Sequence, residues 1–264
     1  MLRSLVRTPS SFAPFDASNT LSLTTSSYTD LAGNAGTAET TANYAIDTLL
    51  PTISSVTAGW GTYLNATEDN SAGTVTVVTS GAENGQTVTV TLNSTNYTGT
   101  VSDNSTSVTV AAAGLQALTD GSSYTLTTNV SDAAGNAATE NTGTSFTYDI
   151  TAPTANFTLS DTALKAGDNA TVTLVFSEAV ASFSSAADIT VANGTLAMMT
   201  SSNNVTWTGT FTPTANTEDA SNTLSLATSY TDTAGNAGPT ETTANYAVDT
   251  LVPSISSIST TADN

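Results

Sequence analysis

The chain has 264 residues, with three Lys or Arg against 22 Asp or Glu, which gives a formal net charge of -19. So few basic residues exclude the Lys and Arg clusters by which proteins bind nucleic acid or an anionic membrane surface. The sequence contains no His and no Cys, which excludes disulfides, thiolate nucleophiles and imidazole bases, so any metal must be bound through oxygen.

The N-terminal fifty residues fall into two parts. Residues 1–12 contain Arg3 and Arg7 but lack the apolar run of a signal peptide, and we expect them to be disordered and outside any repeat. Residues 13–50 carry the motif Asp30-Leu-Ala-Gly-Asn34 and short alternating apolar segments. Because both features return later in the chain, we interpret residues 13–50 as the C-terminal strands of a partial repeat.

Residues 51–150 are predicted to form one complete repeat, which we name the first type. Apolar side chains alternate with Thr and Ser, as at Val75 and Val77 or at Val88 and Val90, and turn residues separate the segments. This period of two is typical of antiparallel strands with one buried face. Seven such strands in roughly 100 residues, with no helical period, predict an all-β immunoglobulin-like sandwich.

Residues 151–250 form a complete repeat of a second type, to which the partial repeat 13–50 also belongs. Residues 251–264 begin a further first-type repeat, since Leu251-Val-Pro253 matches Leu49-Leu-Pro51. The sequence therefore predicts tandem seven-stranded antiparallel immunoglobulin-like sandwiches in a linear array. We expect the chain to be cut out of a longer array of the same kind.

An acidic frame recurs in every copy. The motif Asp-x-Ala-Gly-Asn is followed, 17 positions after its first Asp, by a second Asp, and four positions later by a Pro. The leading residues are Asp30, Asp132 and Asp232, the trailing residues are Asp47, Asp149 and Asp249, and the prolines are Pro51, Pro153 and Pro253. Each copy thus places acidic residues at fixed positions near its boundaries.

The sandwich topology determines which of these residues can meet. The Asp-x-Ala-Gly-Asn loop lies at the end where the chain enters a repeat, and the trailing Asp lies about 25 Å away where it leaves. They cannot share an ion within one repeat, but the trailing Asp can meet the loop of the next. The candidate Ca²⁺ ligands are therefore Asp47 with Asp132 and Asn136, Asp149 with Asp232 and Asn236, and Asp249 at the last boundary. Possible extra ligands are Glu68, Asp69, Asp120 and Glu178, since Ca²⁺ takes about six to eight oxygen atoms.

A purely structural role fits the same spacing. The leading Asp can cap its own turn while Gly and Asn adopt positive φ, and the trailing Asp can begin a linker turn. The spacing alone leaves both interpretations open. The charge favours an ion, because facing carboxylates repel one another and Lys165 is the only basic residue after Arg7.

These motifs together resemble a known family. The chain is similar to the tandem bacterial immunoglobulin-like repeats of large secreted surface adhesins, of the RTX and biofilm-associated type. The resemblance rests on Asp-x-Ala-Gly-Asn before Asp-Thr-x-x-Pro, and on Leu164-Lys-Ala-Gly-Asp168, Phe176-Ser-Glu-Ala-Val180 and Asp188-Ile-Thr-Val-Ala-Asn-Gly-Thr-Leu196. It implies an extracellular location, a stalk or adhesive role, and Ca²⁺ at the boundaries between repeats. The glycine- and aspartate-rich nonapeptides found near the secretion end of such proteins do not occur in this sequence.

Three functions follow as hypotheses. The first is a non-catalytic extender segment of a surface adhesin, whose partners are the neighbouring repeats of the same chain. The second is a module that binds a glycan or a host surface, with Trp60, between two glycines, as its exposed aromatic residue. The third is a spacer in a large secreted hydrolase. We expect no enzymatic activity in this segment, because no insertion long enough to form a cleft interrupts either sandwich, and no insertion into a membrane.

Overall fold

The structure is a computed structural model that describes residues 15–25 and 28–259. The predicted disordered start, residues 1–12, and residues 260–264 of the predicted further repeat lie outside this part. The chain divides into two compact units. Unit 1 comprises Met1–Thr62, Ser71–Leu118 and Ser123–Phe146, and unit 2 comprises Tyr63–Asn70, Thr119–Ser122 and Thr147–Asn264. Within the described residues, no helix has the length and apolar character needed to cross a bilayer.

The partial repeat forms two strand pairs within unit 1. Its strands are β1 (Phe15–Asn19), β2 (Ser22–Leu23), β3 (Glu39–Thr40) and β4 (Tyr44–Asp47). β1 pairs antiparallel with β4, and β2 pairs antiparallel with β3. The apolar side chains Leu21, Leu23 and Tyr28 are nearly half exposed. The pairing of these strands therefore persists although their apolar face is open.

The repeat 51–150 is built almost entirely of strands. They are β5 (Thr52–Ala58), β6 (Tyr63–Leu64), β7 (Gly73–Ser80), β8 (Thr87–Leu92), β9 (Thr95–Thr100), β10 (Ser105–Val110), β11 (Ser122–Tyr124), β12 (Thr127–Val130), β13 (Asn141–Thr142) and β14 (Phe146–Tyr148). The sheets have the strand orders β10-β7-β5, β13-β12-β8-β9 and β11-β14-β6. A 3-10 turn at Glu68–Asn70 and a one-turn helix α1 (Ala112–Leu115) interrupt the strands.

Two of these sheets enclose the core of unit 1. In β7 the burial alternates residue by residue, and Val75 and Val77 have no exposed surface, while Thr74 and Thr76 face solvent. The pairing of Val108 with Val75 continues the buried face onto the next strand. The core residues of this unit are Trp60, Val75, Val77, Val88, Val90, Leu92, Val101, Val108, Val110, Leu115, Leu126, Val130 and Phe146. The period-2 pattern in the sequence thus gives a sandwich with one buried face per sheet.

Unit 2 holds the strands of the repeat 151–250. They are β15 (Ala155–Leu159), β16 (Ala163–Lys165), β17 (Ala170–Phe176), β18 (Val180–Ala181), β19 (Ile189–Val191), β20 (Gly194–Leu196), β21 (Thr206–Pro213), β22 (Glu218–Asn222), β23 (Leu224–Leu226), β24 (Thr231–Asp232), β25 (Glu241–Thr242) and β26 (Tyr246–Asp249). A one-turn helix α2 (Ser185–Asp188) precedes β19. The strand orders are β15-β17-β21-β20, β16-β26-β22, β18-β24 and β19-β23-β25.

One aromatic and aliphatic core lies between the sheets of unit 2. Its buried members are Phe157, Leu164, Ala170, Val172, Leu174, Phe176, Val180, Ile189, Met199, Phe211, Leu224, Leu226, Tyr230, Tyr246 and Val248. Tyr246 packs edge to face on Phe211 with ring centroids 5.3 Å apart, and its hydroxyl donates to the carbonyl of Ala192 at 2.6 Å. This polar contact allows a tyrosine to be fully buried.

The predicted all-β tandem sandwich is confirmed, with one difference in strand direction. The first strand of the second-type repeat breaks after β15, which pairs antiparallel with β17, and continues as β16, which pairs parallel with the last strand β26. β6 pairs parallel with β14 in the same way. The second half of the first strand therefore runs beside the last strand of the repeat in the same direction. The helices α1 and α2 were not predicted, because four residues are too few to show a helical period.

A buried carboxylate near the end of the first-type repeat gives a stability prediction. Asp69 is 6% exposed and accepts a hydrogen bond of 2.7 Å from the hydroxyl of Tyr148, and both residues belong to unit 2. Tyr148→Phe removes this donor, so we expect the free energy of unfolding to fall by about 1–3 kcal/mol. Tyr246→Phe, which removes a hydrogen bond to the neutral carbonyl of Ala192, is the control. Urea unfolding should show a smaller loss of unfolding free energy for this variant. Equal losses in the two variants would contradict a special role for the Asp69 contact.

Candidate functional site

The Asp-x-Ala-Gly-Asn loop of the second-type repeat is shaped by its own side chains. One carboxylate oxygen of Asp232 accepts hydrogen bonds from the backbone N–H groups of Gly235, at 2.7 Å, and Asn236, at 2.8 Å. The other oxygen accepts from the side-chain amide of Asn236 at 2.8 Å. Gly235 has φ +97, a conformation that a side chain would strain. The leading Asp therefore caps its own turn, as the structural interpretation of the motif predicts.

The other two copies close in the same way. The carboxylate of Asp30 accepts from the backbone N–H and the side-chain amide of Asn34, at 2.9 and 2.8 Å. The carboxylate of Asp132 accepts from the corresponding groups of Asn136, at 2.7 and 2.8 Å. Three copies with one geometry indicate that local hydrogen bonds suffice to shape the loop, so its Asn side chain is held ready for a further contact.

In unit 2 the loop is joined to the end of the preceding first-type repeat. The side-chain amide of Asn236 donates to the backbone carbonyl of Asp149 at 2.9 Å, and its oxygen accepts from the backbone N–H of Ala66 at 3.0 Å. The side chain of Asn65 donates to the carbonyl of Ala234 at 3.0 Å. The structure thus brings Asp149 and Asn236 together, as the topology argument expects.

Three carboxylates converge at this place. Asp149, Glu178 and Asp232 each have a carboxylate oxygen within 4.8 Å of one another. Asp232 is buried, and the other two are half-buried. Lys165 is the only basic residue in the described part of the chain, and it is bound to Asp168 at 3.3 Å. The three negative charges of this acidic cluster therefore have no basic side chain to balance them.

Burial and neighbouring negative charges raise the pKa of two residues of the acidic cluster. Burial, and then the negative charges of Asp232 and Asp120, raise the pKa of Asp149, although the backbone N–H of Thr151 opposes the shift. Burial, and then the charges of Asp232, Asp149 and Asp120, raise the pKa of Glu178. The ionised forms of both residues are therefore disfavoured unless a cation joins them.

This shift predicts a pH dependence in the presence of a chelator. A carboxyl group with a raised pKa in the folded chain stabilises the fold at low pH, and that stability is lost as the pH rises through the raised value. We expect the loss to begin near the ordinary pKa values of 3.8 for Asp149 and 4.5 for Glu178. Urea unfolding at several pH values measures it. The double variant Asp149→Asn and Glu178→Gln should show a smaller decline, and an unchanged decline would contradict the assignment.

The remaining candidate ligands lie elsewhere or have other partners. Asp120 accepts from the hydroxyl of Thr151 and the backbone N–H of Ile150, which lower its pKa. A carboxylate oxygen of Glu68 accepts from the backbone N–H of Asn65 at 3.2 Å. Asp69 faces the interior toward Tyr148 and is not part of the acidic cluster. A carboxylate oxygen of Asp249 accepts from the backbone N–H of Leu251 at 3.3 Å.

At the boundary at Asp47 the loop Asn again contacts the end of the preceding repeat. The side chain of Asn136 donates to the backbone carbonyl of Asp47 at 3.2 Å, and both residues belong to unit 1. The carboxylate of Asp47 accepts from the N–H of Leu49 at 3.0 Å. Among the described residues, only Asp149, Glu178 and Asp232 form a group of three acidic side chains close enough to share an ion. The predicted pairing of Asp47 with Asn136 is therefore found without a third carboxylate.

Trp60 is not the exposed aromatic residue that the glycan-binding hypothesis requires. It is 8% exposed and packs edge to face on Phe146, with ring centroids 5.2 Å apart. A Cβ at Gly73 would lie 2.5 Å from the indole ring, so the glycine makes room for the tryptophan. The expectation that two flanking glycines place Trp60 in an exposed loop is wrong, because a third glycine opens a place for it in the core.

Comparison with known proteins identifies the family. Residues 149–248 match the family model of the bacterial immunoglobulin-like domain, and this range overlaps the predicted repeat 151–250. A bacterial immunoglobulin-like domain from the M. primoryensis ice-binding adhesin is 33% identical, with 38% of this chain and 99% of that chain covered and a TM-score of 0.28. A comparison with curated proteins finds no match.

Two larger adhesin structures are also similar. One belongs to a 1.5-MDa bacterial ice-binding adhesin, with 25% identity, coverage of 85% of this chain and 72% of that chain, and a TM-score of 0.45. The other belongs to a Ca²⁺-stabilized adhesin with which an Antarctic bacterium binds ice, with 24% identity, coverage of 83% and 54%, and a TM-score of 0.45. The chain therefore spans about half of the second structure. From the motifs, the sandwich fold and the family match, the chain belongs to the bacterial immunoglobulin-like domain family.

Proposed function

We propose that the chain is a non-catalytic extender segment of a bacterial surface adhesin, and that Ca²⁺ bound by Asp149, Glu178 and Asp232 fastens one repeat to the next. The observation that carries this proposal is the convergence of three carboxylates within 4.8 Å, with no basic side chain beside them among the described residues. Apposed carboxylates without a counter-ion repel one another, so a bound cation would convert a destabilising group into a stabilising one.

The chemistry of the donors favours Ca²⁺ over other metals. The chain supplies oxygen ligands only, which excludes sites for softer metals that need Cys or His. Ca²⁺ accepts irregular arrangements of carboxylate, amide and carbonyl oxygens, whereas Mg²⁺ demands a near-octahedral site and keeps several waters. Asp149, Glu178 and Asp232 come from three separate segments, which suits the less demanding ion. Ca²⁺ is also the ion named for one of the similar adhesins.

The place of the acidic cluster explains what the ion would do. Asp149 ends the first-type repeat, while Glu178 lies in the loop between β17 and β18 and Asp232 ends β24, where the Asp-x-Ala-Gly-Asn loop begins. An ion held by all three would tie the end of one repeat to two loops of the next, in addition to the hydrogen bonds of Asn236. Such a tie resists bending at the boundary, which is the property that an extender requires.

The repeats and the charge fit the extender role. Each added sandwich lengthens a tandem array. A high negative charge keeps neighbouring copies soluble and limits their misassociation. We place the segment outside the cell, as part of a longer surface protein, with neighbouring repeats as its immediate partners. A surface glycan or protein would be bound by another part of such an adhesin.

Thermal unfolding with Ca²⁺ and with a chelator tests the proposal. At a Ca²⁺ concentration about 100-fold above Kd, one site stabilises the folded chain by about 2.7 kcal/mol, which raises the melting temperature by several degrees. Glu178→Gln should abolish this rise, and Mg²⁺ at the same concentration should reproduce little of it. An unchanged melting temperature in saturating Ca²⁺ would refute the calcium site.

A further inference from the structure

The boundaries at Asp47 and Asp149 are built differently, although their acidic frames are alike. We name the boundary at Asp149 the three-carboxylate junction, after Asp149, Glu178 and Asp232, and the boundary at Asp47 the amide junction, after the contact of Asn136 with Asp47. The first leads into a second-type repeat and the second leads into a first-type repeat. Both junctions carry a trailing Asp and a leading Asp, so the difference must come from other positions.

The strand register identifies the first such position. Ile53 pairs with Thr79 in the first-type repeat, and Ala155 pairs with Phe176 in the second-type repeat. Because Ile53 and Ala155 each lie two residues after the boundary proline, Thr79 and Phe176 are equivalent. Two residues further on, the second-type repeat has Glu178 and the first-type repeat has Gly81. The third carboxylate is therefore specific to the second-type repeat.

The backbone at Gly81 is unsuited to a glutamate. Gly81 has φ +81, a backbone conformation that residues with a side chain rarely adopt. The next acidic residue, Glu83, accepts a hydrogen bond of 2.8 Å from the backbone N–H of Ala133, so its carboxylate is bound to the loop. Among the described residues, Asp47, Glu83 and Asp132 do not form a group whose carboxylate oxygens are close enough to share an ion.

The trailing ends of the two repeat types also differ, at one position. In the first-type repeat Leu64 pairs with Tyr148, and in the second-type repeat Leu164 pairs with Val248, so the residues that follow, Asn65 and Lys165, are equivalent. Lys165 is in register with the trailing Asp249. The position that holds Asn65 in the first-type repeat thus holds Lys165 in the second-type repeat, where its ammonium group pairs with Asp168 at 3.3 Å.

We propose that a divalent cation binds only where a second-type repeat follows a first-type repeat, so that the array takes up one ion for every two repeats. The junction into a first-type repeat is metal-free and is held by the amide-to-carbonyl contact of the loop Asn. This inference rests on the proposed calcium site and adds its spacing along the chain. It divides the junctions into one that responds to Ca²⁺ and one that does not.

Equilibrium dialysis against Ca²⁺, with the bound metal measured by atomic absorption, tests the inference on the full chain. We expect one ion per chain, although the chain contains two boundaries with the same acidic frame. Asp149→Asn should reduce the count to zero, and the matched variant Asp47→Asn should leave it at one. Thermal unfolding of both variants in chelator checks that each is folded.

The other outcomes are each decisive. Two ions per chain, with one lost in Asp47→Asn, would overturn the inference while leaving the calcium proposal intact. One ion that is lost in Asp47→Asn but kept in Asp149→Asn would overturn the assignment of the junctions. No bound ion at saturating Ca²⁺ would refute the proposed calcium site and the inference together.

Discussion

Leu224→Ala should lower the free energy of unfolding of unit 2 by about 2–5 kcal/mol, the range found when a fully buried leucine is truncated. Leu224 has no exposed surface and lies in the core with Phe211 and Tyr246. The substitution removes three carbon atoms from a close-packed interior, so it loses their transfer free energy and leaves a cavity. Urea unfolding followed by tyrosine and tryptophan fluorescence measures the loss.

The chain contains a matched control for this substitution. Leu21 occupies the same position in the partial repeat, within the same sequence Ala-Ser-Asn-Thr-Leu-Ser-Leu, but it is 48% exposed. We expect Leu21→Ala to change the free energy of unfolding by no more than about 0.5 kcal/mol. Losses of similar size in both variants would show that the partial repeat is as well packed as the complete one, and would contradict the open face described above.

Asn236→Ala should cost about 2–5 kcal/mol, because it removes the side chain that joins the second-type loop to the preceding repeat. Asn236 is buried, and its loss leaves the carbonyl of Asp149 and the N–H of Ala66 without their partners. The variant also loses the buried hydrogen bond to the carboxylate of Asp232, and a bond to a charged group contributes about 1.5–3 kcal/mol where a neutral one contributes about 0.5–1.5 kcal/mol. Hydrogen exchange provides a local readout, since the amide of Ala66 should exchange faster in the variant.

Asn34, the equivalent residue of the partial repeat, shows how much the hydrogen bond within the loop contributes without contacts to a preceding repeat. Asn34 makes the same bond to the leading Asp30, at 2.8 Å, and no hydrogen bond outside its own loop is found for it among the described residues. Asn34→Ala should therefore cost only about 0.5–1.5 kcal/mol, the value of one exposed hydrogen bond. If the two substitutions cost the same, the contacts of Asn236 with Ala66 and Asp149 would contribute nothing measurable to stability.

The sandwich could be predicted from the sequence because its strands are half-buried and regular. In β17 the buried residues Val172, Leu174 and Phe176 alternate with threonine and valine, and this period of two is visible without any other information. The short elements could not be predicted in the same way. The helix α2 is one turn long, and the parallel pairing of β16 with β26 depends on a change of sheet that leaves no periodic signal.

The candidate site was only partly predictable for a related reason. The approach of Asp149 to Asp232 follows from strand topology, since the end of one repeat must face the entering loops of the next. The selection of Glu178 from four possible extra ligands depends on loop conformation, which the spacing does not determine. The contacts of Asn65 and Ala66 use one amide and one backbone N–H, which no motif marks.

The central claim is that Ca²⁺ binds at Asp149, Glu178 and Asp232, and anomalous X-ray diffraction from crystals grown with Ca²⁺ or Tb³⁺ tests it most directly. We expect one anomalous peak with carboxylate oxygens of all three residues at about 2.3–2.6 Å. Glu178→Gln crystals grown in the same way should lack the peak. A fully occupied metal elsewhere, with no peak among these three carboxylates, would show that Asp149, Glu178 and Asp232 do not form the calcium site.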